Sequence, residues 1–246
     1  MSQAIANKVV LVTGANRGIG KQIVDSFLAE GARKVYLAVR DPASAAPLEQ
    51  AYGERVQTLA VDISDPASVT RAAQVARDVD IVINNAGVLV PSNPLDDNGE
   101  LALDKELDVN LYGLLRVARA FAPALEANGG TLVQINSVVS IRNFSGFGTY
   151  SISKAASYSL TQALRETLQP KGVKVISVHP GPIATDMGAQ AGFDNAASTT
   201  VVADSIVQAL EGQEFHVFPD DMAKQFWAGY QSYAKAFVEA DILKEG

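Results

Sequence analysis

Three side chains of this sequence could together move a proton to or from a bound carbonyl compound. Tyr150 and Lys154 stand four residues apart and share one face of a helix, and Ser137 ends an apolar run before them. A phenol with its ordinary pKa near 10 is a poor acid–base group at neutral pH. An ammonium about 4 Å away could stabilise the phenolate by up to 4 kcal/mol, which would lower the phenol pKa by about three units. Ser137 would hold the carbonyl oxygen beside the phenol.

The Tyr-x-x-x-Lys spacing is weak evidence by itself. Chance alone produces one such pair in a chain of this length at roughly even odds. Its ordinary meaning is an exposed pair on the solvated face of a helix. The chemical interpretation therefore depends on the elements that surround the pair.

A glycine-rich turn near the start of the chain predicts a phosphate site. The apolar residues 9–12 predict a buried strand, and apolar spacing predicts a helix from about Gly18 to Gly31. Free N–H groups and the dipole at a helix N-terminus favour anions, and glycine lets a pyrophosphate approach the backbone. The spacing is Gly-x-x-x-Gly-x-Gly, unlike the common dinucleotide fingerprint. The alternative to a phosphate site is a tight turn that only connects the strand to the helix.

Strands and helices alternate along the rest of the chain. The predicted strands are 9–12, 34–39, 56–61, 80–83, 131–135, 173–178 and 214–218. The later predicted helices are 42–51, 66–77, 103–127, 149–168, 199–210 and a C-terminal tail over 221–243. Pro123 is expected to bend or shorten the long helix 103–127.

This alternation predicts the fold class. Almost wholly apolar strands are typical of a parallel sheet covered on both faces, and right-handed crossovers favour double winding. We expect one α/β domain over residues 1–246, a Rossmann fold with a seven-stranded parallel sheet and helices on both faces. Ligands bind such sheets beyond the carboxyl ends of the strands, so the loops after the strands should carry the site.

Composition excludes several classes of function. The net charge of −7 argues against a nucleic-acid partner or an anionic membrane surface. There is no cysteine for a disulfide framework, and with two histidines we expect no metal site. No leader and no apolar run of about 20 residues is apparent, so we expect a cytoplasmic protein without membrane attachment.

Two arginines predict which nicotinamide cofactor is bound. An unphosphorylated cofactor would favour Asp or Glu after the second strand, where this chain has Arg40, and Arg17 lies inside the glycine turn. Guanidinium groups bind a 2′-phosphate through paired hydrogen bonds. The alternative is two solvated arginines, with Asp41 available to pair with Arg40.

Taken together, the motifs resemble the short-chain dehydrogenase/reductase family in its single-domain branch. The matches, in chain order, are Thr13-Gly14-x-x-x-Gly18-x-Gly20, Asp62, Asn84-Asn85-Ala86-Gly87, Asn110, Ser137, Tyr150-x-x-x-Lys154 and Pro180-Gly181. They span about residues 8–185, and their combination is specific although no single motif is. The glycine loop and the Val-Arg-Asp strand end look like carbonyl reductases that use NADP.

The resemblance implies a role for each catalytic residue. Tyr150 is the general acid, and Ser137 holds the carbonyl. Lys154 binds the nicotinamide ribose and lowers the pKa of Tyr150. Asn110 supports a water that relays protons to Lys154; an Asn bonded to its own backbone is the alternative. His179 is expected to have no catalytic role.

The resemblance also implies the cofactor contacts. Asp62 and Ile63 would lie against the adenine, residues 85–87 against its ribose, and residues 180–185 against the nicotinamide. The full expected set is Gly14, Asn16, Arg17, Gly18, Ile19, Gly20, Arg40, Asp62, Ile63, Asn85, Ala86, Gly87, Tyr150, Lys154, Pro180, Gly181, Ile183 and Thr185. For residues 84–87, a turn without ligand contacts is the alternative.

An apolar wall is predicted at the substrate end. It comprises Val88, Val139, Phe144, Phe147 and Met187, and it suits an aromatic or aliphatic ketone or aldehyde. Residues 185–198 would form a loop that closes over the substrate, with Gly188 and Gly192 as hinges. The tail aromatics Phe226, Tyr230, Tyr233 and Phe237 have helical spacing and suit core or subunit contacts.

The sequence thus predicts NADP(H)-dependent reduction of a ketone or aldehyde to an alcohol. An NAD-linked alcohol dehydrogenase of the same family is one alternative. A regulatory protein that binds NADP without catalysis is another. By analogy with the family, we expect a homodimer or homotetramer paired through the two long central helices.

Overall fold

The computed structural model describes residues 2–193 and 195–239, and it builds them around one parallel sheet. The strands are β1 Val9–Thr13, β2 Lys34–Val39, β3 Val56–Ala60, β4 Ile81–Asn84, β5 Thr131–Ile135, β6 Lys174–Val178 and β7 His216–Val217. They pair in the order β3-β2-β1-β4-β5-β6-β7, parallel throughout. The predicted seven-stranded parallel sheet is confirmed, although its last strand has two residues where five were expected.

Helices cover both faces of this sheet. They are α1 Gly18–Ala29, α2 Ala46–Tyr52, α3 Pro66–Val75, α4 Gly99–Glu106, α5 Gly113–Asn128, α6 Gly148–Leu168, α7 Asp186–Gln190, α8 Thr199–Glu211 and α9 Asp221–Tyr233. The expected helix 42–51 begins as a 3₁₀ turn, Pro42–Ala45, and the expected helix 66–77 ends at Val75. The tail continues from α9 as a π-helical segment, Ala234–Val238, and its predicted end over 240–243 lies outside the described residues.

The long central helix differs from its prediction. It begins at Gly99 rather than at residue 103, and a π-helical segment, Leu107–Tyr112, separates α4 from α5. Pro123 does not shorten α5, which continues to Asn128 and ends at Gly129 in a left-handed conformation. Phe121 and Leu125, on either side of Pro123, are buried, and burial of two such side chains offsets a proline cost of about 3 kcal/mol.

The strands divide their side chains between two apolar cores. Val10, Val12 and Ile83 face the side of α1 and α8, where Phe27 and Ile206 are buried. Alternate strand residues face the opposite side, which is covered by α3, α5 and α6. The sheet is therefore held rigidly from both faces, and its carboxyl-end loops start from fixed positions. No helix of the described residues is long and apolar enough to span a membrane.

Gly20, in the first turn of α1, packs closely against the glycine turn that follows β1. A Cβ there would overlap the Gly14 carbonyl oxygen and lie 2.6 Å from Asn85 Nδ2. Gly20 was expected among the cofactor contacts, but it lies behind the turn rather than in the wall of the main cleft. Its lack of a side chain allows the helix to pack closely on the turn.

This packing gives a stability prediction. Gly20→Ala should lower the free energy of unfolding by roughly 1–3 kcal/mol, because the overlap outweighs the helix propensity that alanine gains. Urea denaturation measures the change. Gly146→Ala is the matched control, because a Cβ at Gly146 meets no atom within 4 Å. Equal losses in the two variants would show that the close approach at Gly20 is unimportant.

Candidate active site

A cleft of about 680 Å³ crosses the carboxyl ends of the strands. Its walls are the loops after β1, β2, β3, β4, β5 and β6, with parts of α6, α7 and α9. This volume lies within the usual range for small-molecule and cofactor sites, about 300–1,000 Å³. The cleft lies where a parallel sheet of this order is expected to bind its ligand.

The glycine turn forms one end of the cleft. Gly14 (φ +65°) and Gly18 (φ +53°) have left-handed conformations that favour glycine. Thr13 Oγ1 accepts the N–H groups of Asn85 and Ala86, each at 2.9 Å, and Asn85 Nδ2 donates to Thr13 O at 2.9 Å. The loop after β4 therefore holds the turn, and the amide of Asn85 is partly used for that purpose.

The part of the cleft that was predicted to bind the adenine contains both arginines. Arg17 and Arg40 line it together with Asp62 and Ile63, as the sequence predicted. Arg17 Nη1 pairs with Asp186 Oδ2 at 3.2 Å, a contact that the sequence did not indicate. The carboxylate of Asp41 caps the 3₁₀ turn after β2 by accepting the Ala43 N–H at 3.1 Å.

Asp62 carries a stabilised negative charge at this end. Hydrogen bonds from the hydroxyl and the N–H of Ser64 lower the pKa of Asp62, and the positive charge of Arg40 lowers it further. Both bonds are local, since Ser64 lies two residues further along the chain. The carboxylate is thus fixed in place before any ligand arrives.

Tyr150 and Lys154 lie on α6, where they share the face that borders the cleft. Lys154 Nζ is 5.8 Å from the centre of the Tyr150 ring and donates to Ile135 O at 2.8 Å. Burial lowers the pKa of Lys154 to about 8. The pKa of Tyr150 is raised, by burial first and then by the charge of Glu106.

The expected lowering of the Tyr150 pKa is therefore wrong for this structure. A phenolate loses solvation when it is buried, and here that loss exceeds any stabilisation by the ammonium. Burial also lowers the pKa of Lys154, so the charged form of this side chain is less stable. The ammonium donates to a backbone oxygen, Ile135 O. Tyr150 is held as a neutral phenol.

Ser137 follows β5 and faces the same part of the cleft. Its hydroxyl donates to Pro180 O at 3.3 Å and accepts the Val139 N–H at 3.3 Å, which caps a 3₁₀ turn, Val138–Ser140. Both bonds are long. The hydroxyl therefore has a weak acceptor that a better one could replace.

Asn110 lies in the π-helical segment, buried behind the cleft wall. Its Oδ1 accepts the Val88 N–H at 3.0 Å, and its Nδ2 donates to Val88 O and to Ser153 Oγ, both at 2.9 Å. The alternative of an Asn bonded to its own backbone is wrong. Asn110 fixes the loop after β4, and its role with a relay water stays a prediction.

The part of the cleft that was predicted to hold the substrate is apolar. All five predicted residues, Val88, Val139, Phe144, Phe147 and Met187, line the cleft. Leu89 and Phe193, from segments expected near the substrate, also line it, whereas nothing in the sequence indicated Met222. The rings of Phe147 and Phe193 lie 5.6 Å apart, so the loop after β6 closes against the start of α6.

Residues 186–190 form a helix, α7, within the segment 185–198 that was predicted to be a loop. Thr185 caps α7 by accepting the Gly188 N–H at 3.1 Å, and Ile183 pairs with Ala197 in a parallel bridge at the base. Asp220, just before α9, accepts the Gly181 N–H at 2.7 Å. The C-terminal helix is thereby attached to the segment expected to cover the nicotinamide.

Residues 8–196 match the family model described as short chain dehydrogenase, which covers more than half of the chain. The protein belongs to the short-chain dehydrogenase family. It is therefore an oxidoreductase, and the expected family is confirmed.

Individual relatives of this short-chain dehydrogenase agree with this assignment to the family. It is 33% identical over 228 residues to the 1-deoxy-11-beta-hydroxypentalenate dehydrogenase of Streptomyces avermitilis, over 85% of this chain and 83% of the relative. A short-chain dehydrogenase from Burkholderia cenocepacia, solved in complex with NADP, is 35% identical with a TM-score of 0.87, over 94% and 96% of the chains. A Burkholderia phymatum relative in complex with NAD shares the fold at 21% identity, TM-score 0.82 and coverage of 95% and 96%.

A buried chain of polar side chains crosses this short-chain dehydrogenase from the glycine turn to Ser137. Eight side chains bond in the order Thr13, Asn84, Gln134, Ser157, Asn136, Ser177, His179 and Ser140, and the Ser140 hydroxyl then donates to the backbone oxygen of Ser137. All nine residues are buried. Polar residues within apolar strands, such as Asn84 and Gln134, were the signal in the sequence that could have revealed it.

His179 lies near the Ser137 end of this series of polar side chains. Burial lowers its pKa to about 3, so the imidazole is neutral. The Ser140 hydroxyl donates to Ser137 O; His179 Nδ1–H then donates to Ser140 Oγ at 2.9 Å, and Nε2 accepts from Ser177 at 2.7 Å. His179 therefore orients its neighbours, a role that the sequence did not indicate, and its lack of a catalytic role stays a prediction.

The tail aromatics divide into two groups. Phe226 packs 6.4 Å from Phe144, and the Tyr230 hydroxyl bonds to that of Tyr158 at 3.2 Å. Tyr233 and Phe237 are 55% and 60% exposed. Phe226 and Tyr230 therefore fit the expected intramolecular packing, while a subunit contact remains a prediction for the exposed pair.

Proposed function

We propose that this short-chain dehydrogenase reduces ketones or aldehydes to alcohols with NADPH. One observation supports this most strongly: Ser137, Tyr150 and Lys154 line the same cleft as Arg17 and Arg40. An acid–base group and a carbonyl-binding hydroxyl are thus joined to a phosphate-binding end by one continuous surface.

The residues present fit a nicotinamide dinucleotide. The left-handed glycines at 14 and 18 leave the backbone of the turn open at the start of α1, where a pyrophosphate is favoured. Asp62 and Ile63 would hold the adenine, residues 85–87 its ribose, Lys154 the second ribose, and residues 180–185 the nicotinamide. When bound, the cofactor supplies the hydride.

The side chains of the protein supply the proton and the orientation. The substrate oxygen replaces Pro180 O as the acceptor for the Ser137 hydroxyl, because the existing bond is long. Tyr150 would give its proton to that oxygen, and solvent would then reprotonate Tyr150. The raised pKa of Tyr150 supports reduction, because the protonated phenol is the form that donates.

The choice of NADPH rests on Arg17 and Arg40. The solved relatives include complexes with NADP and with NAD, so the fold does not decide between them. Two guanidinium groups in the adenine end favour the additional phosphate. A solved relative with 35% identity holds NADP.

The substrate class follows from the apolar walls. Phe144, Phe147, Phe193 and Met187 suit an aromatic or aliphatic group attached to the carbonyl carbon. The NAD-linked oxidation of an alcohol at the same site is the second candidate, favoured by the dehydrogenase name of the Streptomyces relative.

We also propose that the protein acts as a homodimer or homotetramer. Apolar side chains of Leu101, Tyr112 and Ile152 are exposed on α4, the π-helical segment and α6. These are the central helices through which the family pairing was expected. A second copy would remove those side chains from water.

A panel of aromatic and aliphatic ketones and aldehydes, assayed for NADPH oxidation, tests the function. We expect turnover with several members, and faster turnover with NADPH than with NADH. Faster oxidation of the matching alcohols with NAD⁺ would favour the second candidate. Tight NADPH binding without turnover of any compound would favour a regulatory protein.

A further inference from the structure

Asp220, the residue before α9, is a buried acid that the proposed reaction does not use. The residue is 6% exposed, and no cationic side chain pairs with its carboxylate among the described residues. A buried carboxylate without a cation is costly unless hydrogen bonds compensate its lost solvation. The hydrogen bonds of Asp220 should therefore explain why an acid stands at this position.

The two carboxylate oxygens of Asp220 have separate donors. Oδ1 accepts the Ala223 N–H at 3.0 Å and thereby caps α9, whereas Oδ2 accepts the Gly181 N–H at 2.7 Å. Asparagine caps helices about as well as aspartate does, but its one acceptor oxygen cannot occupy both positions. The acid is therefore explained by the bond to Gly181, which capping does not need.

Gly181 allows the carboxylate to approach closely. A Cβ at Gly181 would lie 2.7 Å from Asp220 Oδ1, which is closer than Cβ atoms normally come to other atoms. Glycine therefore permits a short bond between its N–H and a charged oxygen, and such charge-assisted bonds are stronger than neutral ones.

The peptide group that joins Pro180 to Gly181 connects Asp220 to Ser137. Its N–H donates to Asp220, and its oxygen, Pro180 O, accepts the Val138 N–H at 3.0 Å and the Ser137 hydroxyl at 3.3 Å. Because a peptide group is planar and rigid, holding its N–H also sets the direction of its oxygen. Asp220 thus determines where the acceptor lies against which Ser137 is oriented.

We propose that Asp220 is a positioning residue, which orients Ser137 for the carbonyl by holding the Pro180–Gly181 peptide. This inference rests on the proposed function, in which the Ser137 hydroxyl leaves Pro180 O for the substrate oxygen. A displaced peptide would shift both the serine and the segment 180–185 that is expected to cover the nicotinamide. In a well-oriented site, a displacement of about 1 Å can lower the rate by roughly 100-fold.

The Pro180–Gly181 peptide can be observed separately, because Pro-Gly occurs once in the sequence. Protein with ¹³C-carbonyl proline and ¹⁵N-glycine gives one HNCO signal in NMR, from this peptide. Asp220→Asn should move the proton of that signal upfield and speed its exchange with solvent, since the charge-assisted bond is lost. Ser137→Ala should move the carbonyl carbon of the same signal, since Pro180 O loses a donor. An unchanged signal in either variant overturns the proposal.

Kinetics test whether Asp220 acts through Ser137. Asp220→Asn should lower kcat for carbonyl reduction by about 5- to 50-fold, with less than about a twofold change in NADPH affinity. In a Ser137→Ala background the same substitution should lower kcat by less than about twofold, because no hydroxyl is left to orient. A loss of equal size in both backgrounds would mean that Asp220 only supports the fold, which overturns the proposal.

Asp221→Asn is the matched control, since it makes the same change in the next residue, whose side chain is 99% exposed. It should leave kcat unchanged and move the HNCO signal much less. If Asp220→Asn folds poorly, Gly181→Ala disturbs the same contact from the other side and should lower kcat in the same Ser137-dependent way. If no carbonyl compound is turned over, the proposed function is wrong, and the HNCO signal still tests the link from Asp220 to Ser137.

Discussion

Replacing Tyr150 with phenylalanine is expected to lower kcat for NADPH-dependent carbonyl reduction by about 10²- to 10⁴-fold, which is the range for loss of a general acid. The ring keeps its place in the wall, and Ser137 still binds the carbonyl. Only the donated proton is lost, so NADPH affinity should hardly change. Steady-state kinetics measure the first quantity, and NADPH fluorescence titration measures the second.

Tyr52→Phe removes the same atom from a tyrosine that lies outside the cleft and outside the proposed subunit interface, where its hydroxyl donates to Asp25. This control should retain full activity. If Tyr150→Phe kept the activity of the unaltered protein, proton donation by Tyr150 would be wrong. If it lost NADPH binding as well, Tyr150 would be holding the cofactor rather than completing the reaction.

Arg40→Asp is expected to reverse the cofactor preference. The variant loses a charge-assisted bond to the 2′-phosphate, which is worth about 1.5–3 kcal/mol, and adds repulsion against that phosphate. The new carboxylate can accept the ribose hydroxyl of NADH. The ratio of kcat/KM for NADPH to that for NADH should fall by roughly 10²-fold or more.

Arg77→Asp makes the same change of net charge away from the cleft, and we expect it to leave the ratio unchanged. Arg17→Ala should shift the ratio less than Arg40→Asp, because Arg17 must leave Asp186 before it can bind the phosphate. An unchanged ratio in both cleft variants would mean that the arginines are only solvated surface residues.

The sheet could be predicted because its strands carry their own signal. Residues 131–135 form an apolar run, and the structure has β5 over the same residues, Thr131–Ile135. A strand buried on both faces needs only its own residues to be apolar, and right-handed crossovers then limit the order of the strands. The cofactor and catalytic loops follow the strands, so their places could be predicted too.

Features that depend on distant partners could not be predicted. Asn110, in the π-helical segment, bonds to the backbone of Val88, which belongs to the loop after β4. The rise in the Tyr150 pKa comes from burial and from Glu106, and a helical spacing shows neither. Met222 enters the cleft because Asp220 attaches α9 to Gly181, a contact set by tertiary structure.

The polar chain from Thr13 to Ser137 also constrains how this enzyme can change. Removing one member leaves its neighbour with an unpaired buried group, which costs about 1–3 kcal/mol, whereas replacing two partners together can be nearly neutral. Substitutions at the eight side-chain positions from Thr13 to Ser140 should therefore show strong epistasis, with single steps penalised and paired steps tolerated. Directed evolution of substrate range will advance more easily through the apolar walls of the cleft than through the polar chain beneath it.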